Sequence, residues 1–479
     1  MDEVFHGSNP TEGVALTDEV MRLDTLMHCG HRAHGDFRLH YSDTVLTTGN
    51  GRVWADWAVT GLRPGVLFGL PYIGLLSQRH RLPLKFGWLE ASLEVAGQPM
   101  TAYRISSWYE ADAIPVSHFN GGAWQARVWC SVAPDEPRLL LHIAVTGAPE
   151  ATLILRGGST LGEEAGSPYD GVNGTVGDRA PLPASLSAVP HGHGLVLRND
   201  EAELCAALSY SAPAVTEHAL GSVALPWRAG PSSRPYVTFE SRCPLVTEDD
   251  GAVGVTLELS FSEGEAEGLP ATPALLSDTA AAWRRHWACL QPLQTPDALL
   301  TAGLRRAVVY AASLLAPIDD TGASAGLSDH IEWPVDCARD TFHVASALLF
   351  LRPDLARRHL AFTFLEAIPR AGTGKSYVAT GESRGHREAR LLDLAAYPLL
   401  ELWRYWRATG DDAFAAQPEV RETAFGIIDE VLTWQDPRTG LFTSTDRSSD
   451  EPCVYPCFVP GNARFCVCLE HVAELCEEL

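Results

Sequence analysis

The side chains best suited to chemistry stand together near residue 340. Arg339 and Asp340 are adjacent and follow Trp333 by a few residues, and the strongly apolar stretch 341–351 comes directly after them. An aspartate can accept hydrogen bonds from two neighbouring hydroxyl groups of a sugar, an arginine can donate to a third, and an indole offers its face to the ring. The same aspartate could instead cap the helix that the apolar stretch predicts, because carboxylates are favoured there. The local sequence leaves both interpretations open.

Residues 271–479 repeat their apolar positions at the spacing of an α-helix. Within 300–315 the apolar residues recur every three or four positions, with Thr295 and Pro296 as the expected N-cap and first-turn proline. Further stretches of this kind follow without a strand pattern between them, so we expect about seven helices in succession, paired as hairpins. Such an array would place the arginine–aspartate pair at the start of one buried helix.

Residues 1–270 have a different pattern. Residues 253–261 alternate apolar and polar side chains with a period of two, as a half-buried strand does. The polar, glycine-containing stretch 262–270 separates this region from the helices. We therefore predict an N-terminal antiparallel β-sandwich over 1–270 and a helical domain over 271–479. Three further segments show the strand pattern: 124–132, 138–145 and 151–155.

Composition and charge exclude several classes of protein. The chain has 479 residues, of which 46% are hydrophobic and 20% charged, which is ordinary for a globular protein and unlike a disordered one. Its formal net charge of −24 disfavours binding to nucleic acid or to a membrane surface. No window approaches the roughly 18 consecutive apolar residues of a membrane helix. The first residues lack the pattern of a signal peptide, and 11 cysteines without framework spacing indicate reduced thiols, so we expect a cytoplasmic protein.

Two further patterns suggest cofactors but fail in their details. The segment 371–376 is similar to a phosphate-binding loop, yet Pro369 occupies the position of its first glycine, and a helix rather than a strand precedes it. Histidines are dense over 28–40, but no two-cysteine knuckle accompanies them. Cysteines are dense over 453–476, but Cys466 and Cys468 would point to different sides of a helix and could not share one tetrahedral site. Solvated histidines and buried thiols explain them better. We therefore expect neither an organic cofactor nor a metal ion.

Three segments of the helical region resemble the (α/α)6-barrel glycoside hydrolases. The first is Arg-Asp-Thr-Phe at 339–342, which opens an alanine-rich apolar helix. The second is Asp-Leu-Ala-Ala-Tyr-Pro at 393–398, and the third is Pro-Gly-Asn-Ala-Arg-Phe at 460–465, which opens the last helix. Over 328–479 they follow the family's order and resemble the glycogen-debranching amylo-α-1,6-glucosidases, the glucoamylases, the trehalases and the family 63 processing glucosidases. Many of these enzymes also carry a β-sandwich before the barrel.

The resemblance implies an inverting glycosidase of carbohydrate metabolism that acts on an α-linked gluco- or related oligosaccharide. One carboxyl group would protonate the leaving oxygen while a second activates water from the opposite face. In trehalases and family 63 enzymes the acid lies in a loop that corresponds here to 440–450, where Asp446 is the matching position and Asp450 the next candidate. The family's glycine before the acid is absent, and a solvated turn would also explain these carboxylates. In the debranching enzymes the aspartate that corresponds to Asp340 could itself be the acid.

The resemblance also implies a set of sugar-binding residues. Arg339, Asp340 and Asp393 would contact hydroxyl groups, Trp333 would lie against the ring, and Asp450 is a further candidate. An oligosaccharide is then the expected partner, and the sequence indicates no particular oligomeric state.

The length of the helical region leaves the activity open. A complete barrel needs about twelve helices, or roughly 350 residues, and 271–479 is much shorter. The sequence therefore predicts an incomplete (α/α)6 toroid without the late glutamate that serves these families as general base. Two alternatives to a hydrolase follow from this. One is a catalytically inactive carbohydrate-binding relative or fragment, and the other is an inverting phosphorylase, in which inorganic phosphate replaces the activated water.

Overall fold

A computed structural model describes most of the chain, which folds into two compact units. The described residues through Ser313 form the first unit, and those from Leu314 onward form the second. No helix in the described ranges is both long enough and apolar enough to cross a membrane. The described ranges are 15–16, 45–58, 65–70, 84–100, 104–159, 161, 185–200, 204–221, 236–248, 251–263, 271–272, 274–318, 321–328, 335–377, 390–445 and 455–479.

The first unit is built mainly from two antiparallel sheets. The larger has the order β1-β7-β8-β9-β10-β18-β14-β13-β12, with β17 paired to β18, and the smaller has the order β15-β16-β11-β5-β4-β3-β2, with β6 paired to β5. The strands are β1 (Ala15–Leu16), β2 (Val45–Gly49), β3 (Trp54–Ala58), β4 (Gly65–Leu70), β5 (Leu84–Val95), β6 (Gln98–Pro99), β7 (Arg104–Glu110), β8 (Ile114–Asn120), β9 (Gln125–Val132), β10 (Arg138–Thr146), β11 (Ala151–Ser159), β12 (Leu186–His191), β13 (Gly194–Asn199), β14 (Leu204–Tyr210), β15 (Val215–Gly221), β16 (Tyr236–Pro244), β17 (Val246–Thr247) and β18 (Val253–Glu263).

Alternate residues of both sheets meet in one hydrophobic core. In the larger sheet Leu141 lies opposite Leu257 on one side and Cys130 on the other. These side chains pack with Trp57 and Leu153 of the smaller sheet, and all five are buried. Because successive side chains of a strand point to opposite faces, the period of two in the sequence selects this inner face. The predicted antiparallel β-sandwich is therefore confirmed.

Two helices follow the strands within the first unit. They are α1 (Ala274–His286) and α2 (Ala298–Ser313). The indole N–H of Trp283 donates to the backbone oxygen of Val132 at 2.8 Å, which fixes α1 against the end of β9. The change from strands to helices thus lies between β18 and α1, while the compact units divide after α2.

The start of α2 differs from the expectation. Asp297 caps this helix, because its carboxylate accepts hydrogen bonds from the backbone N–H of Leu299 at 2.8 Å and of Leu300 at 3.1 Å. The prediction of Thr295 as the N-cap is wrong. Its hydroxyl group donates instead to the backbone oxygen of Asp297 at 2.6 Å, and so supports the turn before the cap.

The second unit consists of helices joined by short strands and loops. Its central helix, α6, packs against α3, α4, α8 and α9. Between α4 and α5 the chain widens into a π-helical segment, so that 353–371 is one continuous helical stretch. The helices are α3 (Ala338–Leu348), α4 (Pro353–Ala361), α5 (Ile368–Ala371), α6 (Leu392–Thr409), α7 (Asp412–Ala415), α8 (Pro418–Leu432) and α9 (Val459–Glu478), and the strands are β19 (Leu315–Ile318), β20 (Ala323–Gly326), β21 (Asp336–Cys337) and β22 (Ser376–Tyr377).

Candidate functional site

Three of the predicted site residues meet where α3 and α6 begin. Nη1 of Arg339 lies 3.4 Å from Oδ2 of Asp393, and Nε of Arg339 lies 3.6 Å from Oδ1 of Asp340. The guanidinium therefore stands between two carboxylates that come from different helices. The Asp393 side chain is 4% exposed and the Asp340 side chain is 40% exposed. Asp393 thus anchors the arginine from within, while Asp340 is open to a ligand. We call these three residues the rim.

The position of Asp340 bears on the capping interpretation. The N-cap position of α3 is Cys337, and its side chain makes no capping hydrogen bond. Asp340 lies in the first turn, where the helix dipole favours a negative charge, and its carboxylate faces Arg339. Asp340 can therefore stabilise the start of α3 and still be exposed to a ligand.

A small apolar cluster holds the rim from beneath. Leu394 and Tyr397 of α6 share one face at helical spacing, and they pack against Ala338 and Phe342 of α3. The rings of Phe342 and Tyr397 lie 4.9 Å apart. Burial of Cys337 in the same cluster raises the pKa of its thiol to about 12. Packing of this apolar seam therefore sets the spacing between the starts of α3 and α6.

The chain that leads to Asp446 is tied to the start of α6. The side chain of Asn462 accepts a hydrogen bond from the backbone N–H of Phe442 at 2.7 Å and donates to its backbone oxygen at 2.9 Å. Further along, the N–H of Thr445 donates to the backbone oxygen of Arg390 at 2.9 Å. The motif residue Asn462 therefore has a structural role, because it fixes the segment that ends beside α6.

The remaining predicted site residues, Trp333, Asp446 and Asp450, lie outside the described residues. The structure therefore reports on Arg339, Asp340 and Asp393, and it brings these three together. In the portion of the chain that the structure describes, no group of three His, Cys, Asp or Glu side chains suits a metal ion.

Behind the rim lies a buried ionic network that the sequence did not reveal. Nδ1 of His359 lies 2.8 Å from Oε1 of Glu401, and its Nε2 lies 3.0 Å from Oδ2 of Asp336. The three side chains are between 1% and 7% exposed. Asp336 also accepts hydrogen bonds from the N–H of Gly326 at 2.9 Å and from the hydroxyl of Thr341 at 2.8 Å. We call Asp336, His359 and Glu401 the buried network.

The protonation of the buried network follows from its geometry. Burial alone would lower the pKa of His359, but the two carboxylates at its ring nitrogens outweigh burial and hold this pKa well above its usual value. Burial also opposes ionisation of Asp336, yet His359 and the hydrogen bonds from Gly326 and Thr341 lower its pKa. Burial raises the pKa of Glu401 despite the nearby imidazole. Both ring nitrogens of His359 thus lie at hydrogen-bond distance from a carboxyl oxygen, an arrangement that favours the charged imidazolium.

One sequence signal could have drawn attention to this network. Leu394, Tyr397 and Glu401 are spaced three and four residues apart on one apolar side of α6, and all three are buried. A carboxylate at such a core position requires a buried partner. Its partner His359 lies 42 residues away, and no local pattern identifies it.

The segment 371–376 has no phosphate-binding geometry. It follows the C-terminal end of α5, where carbonyl oxygens rather than N–H groups face the loop. Nζ of Lys375 donates to the backbone oxygen of Ala371 at 2.6 Å, and the N–H of Thr373 donates to the Glu430 carboxylate at 3.2 Å. The lysine therefore caps the end of α5.

Comparison with known proteins finds similarity in structure and not in sequence. No protein-family model and no curated protein sequence matches the chain. A bacterial glucoamylase in complex with acarbose has a TM-score of 0.51 at 11% identity, over 81% of this chain and 57% of the glucoamylase. Two family GH92 enzymes from Bacteroides thetaiotaomicron, an inverting mannosidase and an α-mannosidase, have TM-scores of 0.37 and 0.34 at 9% identity. They are matched over 88% and 86% of this chain and over 65% of each mannosidase.

The similarity to the glucoamylase establishes the class of fold. The chain has the fold of the (α/α)6 six-hairpin glycosidases, with an antiparallel β-sandwich followed along the chain by a succession of helices. This confirms the fold class that the three motifs predicted. The chain spans 57% of the length of that glucoamylase, so a glycosidase activity of the chain is a matter for proposal.

Proposed function

We propose that this chain is an inverting glycoside hydrolase that acts on an α-linked gluco-oligosaccharide. The observation that carries the proposal is the rim, in which one guanidinium stands between a buried carboxylate and a half-exposed one at the paired starts of two helices. It occurs at the motif that resembles these enzymes, in a chain with their fold.

The chemistry of the rim suits a neutral polyol. The 3.6 Å separation of Nε of Arg339 from Oδ1 of Asp340 is longer than a hydrogen bond. A hydroxyl group has one proton to donate and lone pairs to accept with, so it can donate to Asp340 while it accepts from Arg339. Because Asp393 is held by Arg339 and by the N–H of Leu394 at 3.0 Å, it keeps the guanidinium in place for this contact.

In this proposal the catalytic acid is Asp446, with Asp340 and Asp450 as further candidates. The acid protonates the glycosidic oxygen as the bond to the leaving group breaks, while water adds from the opposite face of the ring and gives up its proton to a second carboxylate that acts as base. Inversion requires roughly 6.5–9.5 Å between the acid and the base that activates this water. The hydrogen bond between Thr445 and Arg390 supports Asp446, because it ties the residue before it to the chain that enters α6. Trp333 is proposed to lie against the sugar ring.

A binding assay on the whole chain tests the role of the rim. Acarbose and maltotriose are titrated calorimetrically into the parent and into Asp340→Asn. We expect Asp340→Asn to weaken binding by at least about tenfold, since a hydrogen bond to a charged group contributes about 1.5–3 kcal/mol. Asp354→Asn is the matched control, because Asp354 also lies in a first turn and also pairs with a nearby arginine, Arg352, at 2.8 Å. This control should bind as the parent does.

A turnover assay separates the hydrolase from its alternatives. Asp446→Ala should reduce the release of glucose from maltotriose about 10²–10⁴-fold, which is the contribution of one acid–base group, with little change in binding. Equal affinity of Asp340→Asn and the parent would refute the assignment of the rim. Binding without turnover would instead identify a carbohydrate-binding relative, and turnover that depends on inorganic phosphate would identify a phosphorylase.

A further inference from the structure

The buried network connects the elements that carry the rim. Asp336 lies in β21, directly before α3, which carries Arg339 and Asp340. Glu401 lies in α6, eight residues after Asp393 and therefore about 12 Å further along the helix axis. His359 of α4 bridges them. The start of α3 is thus joined to α6 twice, to its first turn through Arg339 and Asp393 and to its middle through the network.

The burial of this ionic network in the core of the helical unit costs free energy. An ionised side chain loses its hydration on burial, and apolar side chains of similar volume often stabilise a core as well or better. None of the three groups can touch a ligand at the rim, because each is at most 7% exposed. Their contribution must therefore lie in the geometry that they impose on their neighbours.

Directional contacts restrict the start of α3 more than apolar packing would. The Asp336 carboxylate is held by Gly326, Thr341 and His359 at distances between 2.8 and 3.0 Å. Oγ1 of Thr341 also lies 3.0 Å from the backbone oxygen of Cys337, so its one proton is shared between that oxygen and Asp336, and the same contacts fix the first turn of the helix. A shift of that turn would have to break several charged hydrogen bonds together.

We propose that Asp336, His359 and Glu401 act as a positioning network that fixes the first turn of α3, with Arg339 and Asp340, relative to α6. The network does not take part in the chemistry. This inference rests on the proposed function only in that the oligosaccharide is proposed to bind at the rim. The effect of the network on the start of α3 can be measured without a ligand.

The experiment compares two substitutions of Glu401 with one control elsewhere. Glu401→Gln keeps an oxygen that accepts from Nδ1 of His359, whereas Glu401→Met keeps the length and volume and removes the acceptor. Thr423→Val is the control, because Thr423 is also buried and donates one side-chain hydrogen bond, to the backbone oxygen of Phe364 at 2.8 Å. Amide hydrogen exchange is measured by mass spectrometry at the same interval below the melting temperature of each variant.

We expect exchange in residues 342–348 to accelerate about tenfold or more in Glu401→Met and less than about threefold in Glu401→Gln and Thr423→Val. The long-range proton–nitrogen NMR spectrum should show protons on both ring nitrogens of His359 in the parent and in Glu401→Gln. Equal exchange in Glu401→Met and Thr423→Val would mean that the network only contributes to overall stability, and would overturn the proposal.

A second variant and a second assay keep the two proposals separable. If Glu401→Met does not fold, His359→Gln takes its place, because both amide N–H donors of glutamine sit on one nitrogen and do not reproduce the two separate ring nitrogens that face Glu401 and Asp336, and the same comparison decides. Maltotriose affinity should fall about tenfold or more in Glu401→Met and recover in Glu401→Gln. If the parent binds no oligosaccharide, the proposed function fails while the exchange data still decide the role of the network.

Discussion

Replacement of Asn462 by alanine should destabilise the helical unit strongly, because it leaves two buried backbone groups without partners. Asn462 is 5% exposed and Phe442 is 7% exposed, and their contacts at 2.7 and 2.9 Å satisfy the N–H and the carbonyl oxygen of Phe442. The third contact, to the backbone oxygen of Phe458 at 3.0 Å, is less critical, since that oxygen also accepts the helical N–H of Asn462 at 3.1 Å. Each orphaned group costs about 1–3 kcal/mol, so the loss of both partners should lower the free energy of unfolding by about 2–6 kcal/mol.

Urea denaturation followed by circular dichroism at 222 nm measures this loss. The transition of the helical unit should move to lower urea while its slope stays constant. Thr443→Val is the control, since the hydroxyl of Thr443 donates to the backbone oxygen of Trp434 at 2.9 Å, and this oxygen keeps the N–H of Thr443 at 3.0 Å as a partner. Thr443→Val should lower the free energy of unfolding by less than about 1 kcal/mol. A loss below about 1 kcal/mol in Asn462→Ala would refute the view that Asn462 fixes the segment leading to Asp446.

Two further predictions follow from the environments of single residues. Burial raises the pKa of Cys337 to about 12. At pH 8 iodoacetamide should therefore alkylate the exposed Cys466 much faster than Cys337, which mass spectrometry measures. Equal rates would show that Cys337 is accessible. Burial would raise the pKa of Asp411, but hydrogen bonds from Tyr405 at 2.7 Å and from the Phe414 N–H at 3.1 Å, with Arg357, outweigh it and lower the pKa. Because the folded-state pKa is depressed, its stabilisation is present above the unfolded pKa near 3.9 and is lost as pH falls through the folded value. Asp411→Asn should therefore lower the melting temperature at pH 7, and the gap to the parent should narrow as the pH falls below about 3.9; a gap that is independent of pH would contradict this.

The sequence predicts the elements of the fold because each depends on local periodicity. The segments 138–145 and 253–261 lie within β10 and β18 and pair with each other, and their alternation follows from one buried face. The prediction of Thr295 as the N-cap of α2 is wrong for a local reason as well. Thr295, Pro296 and Asp297 stand in a row, and the sequence alone does not decide which side chain reaches the N–H groups of Leu299 and Leu300.

The rim could be predicted and the buried network could not, because the two depend on different distances along the chain. Arg339 and Asp340 are neighbours in sequence, so their cooperation is visible at once, and the resemblance supplied Asp393. The network joins Asp336 to His359 and His359 to Glu401 across 23 and 42 residues. Helical periodicity predicts which face of each helix is buried, but it does not predict which polar group on one face meets which on another.

The charges of the rim are consistent with the kind of ligand that is proposed. One guanidinium between two carboxylates leaves the rim with an excess of negative charge, so an anion would be repelled by Asp340 and Asp393, and a cation would compete with Arg339 for them. A neutral hydroxyl group meets neither penalty, since it can donate to one member of the pair and accept from the other. In this arrangement the buried Asp393 needs only to hold Arg339 in place beside the exposed Asp340. Because Asp393 already orders Arg339, the proposed binding of a sugar here would cost little conformational entropy.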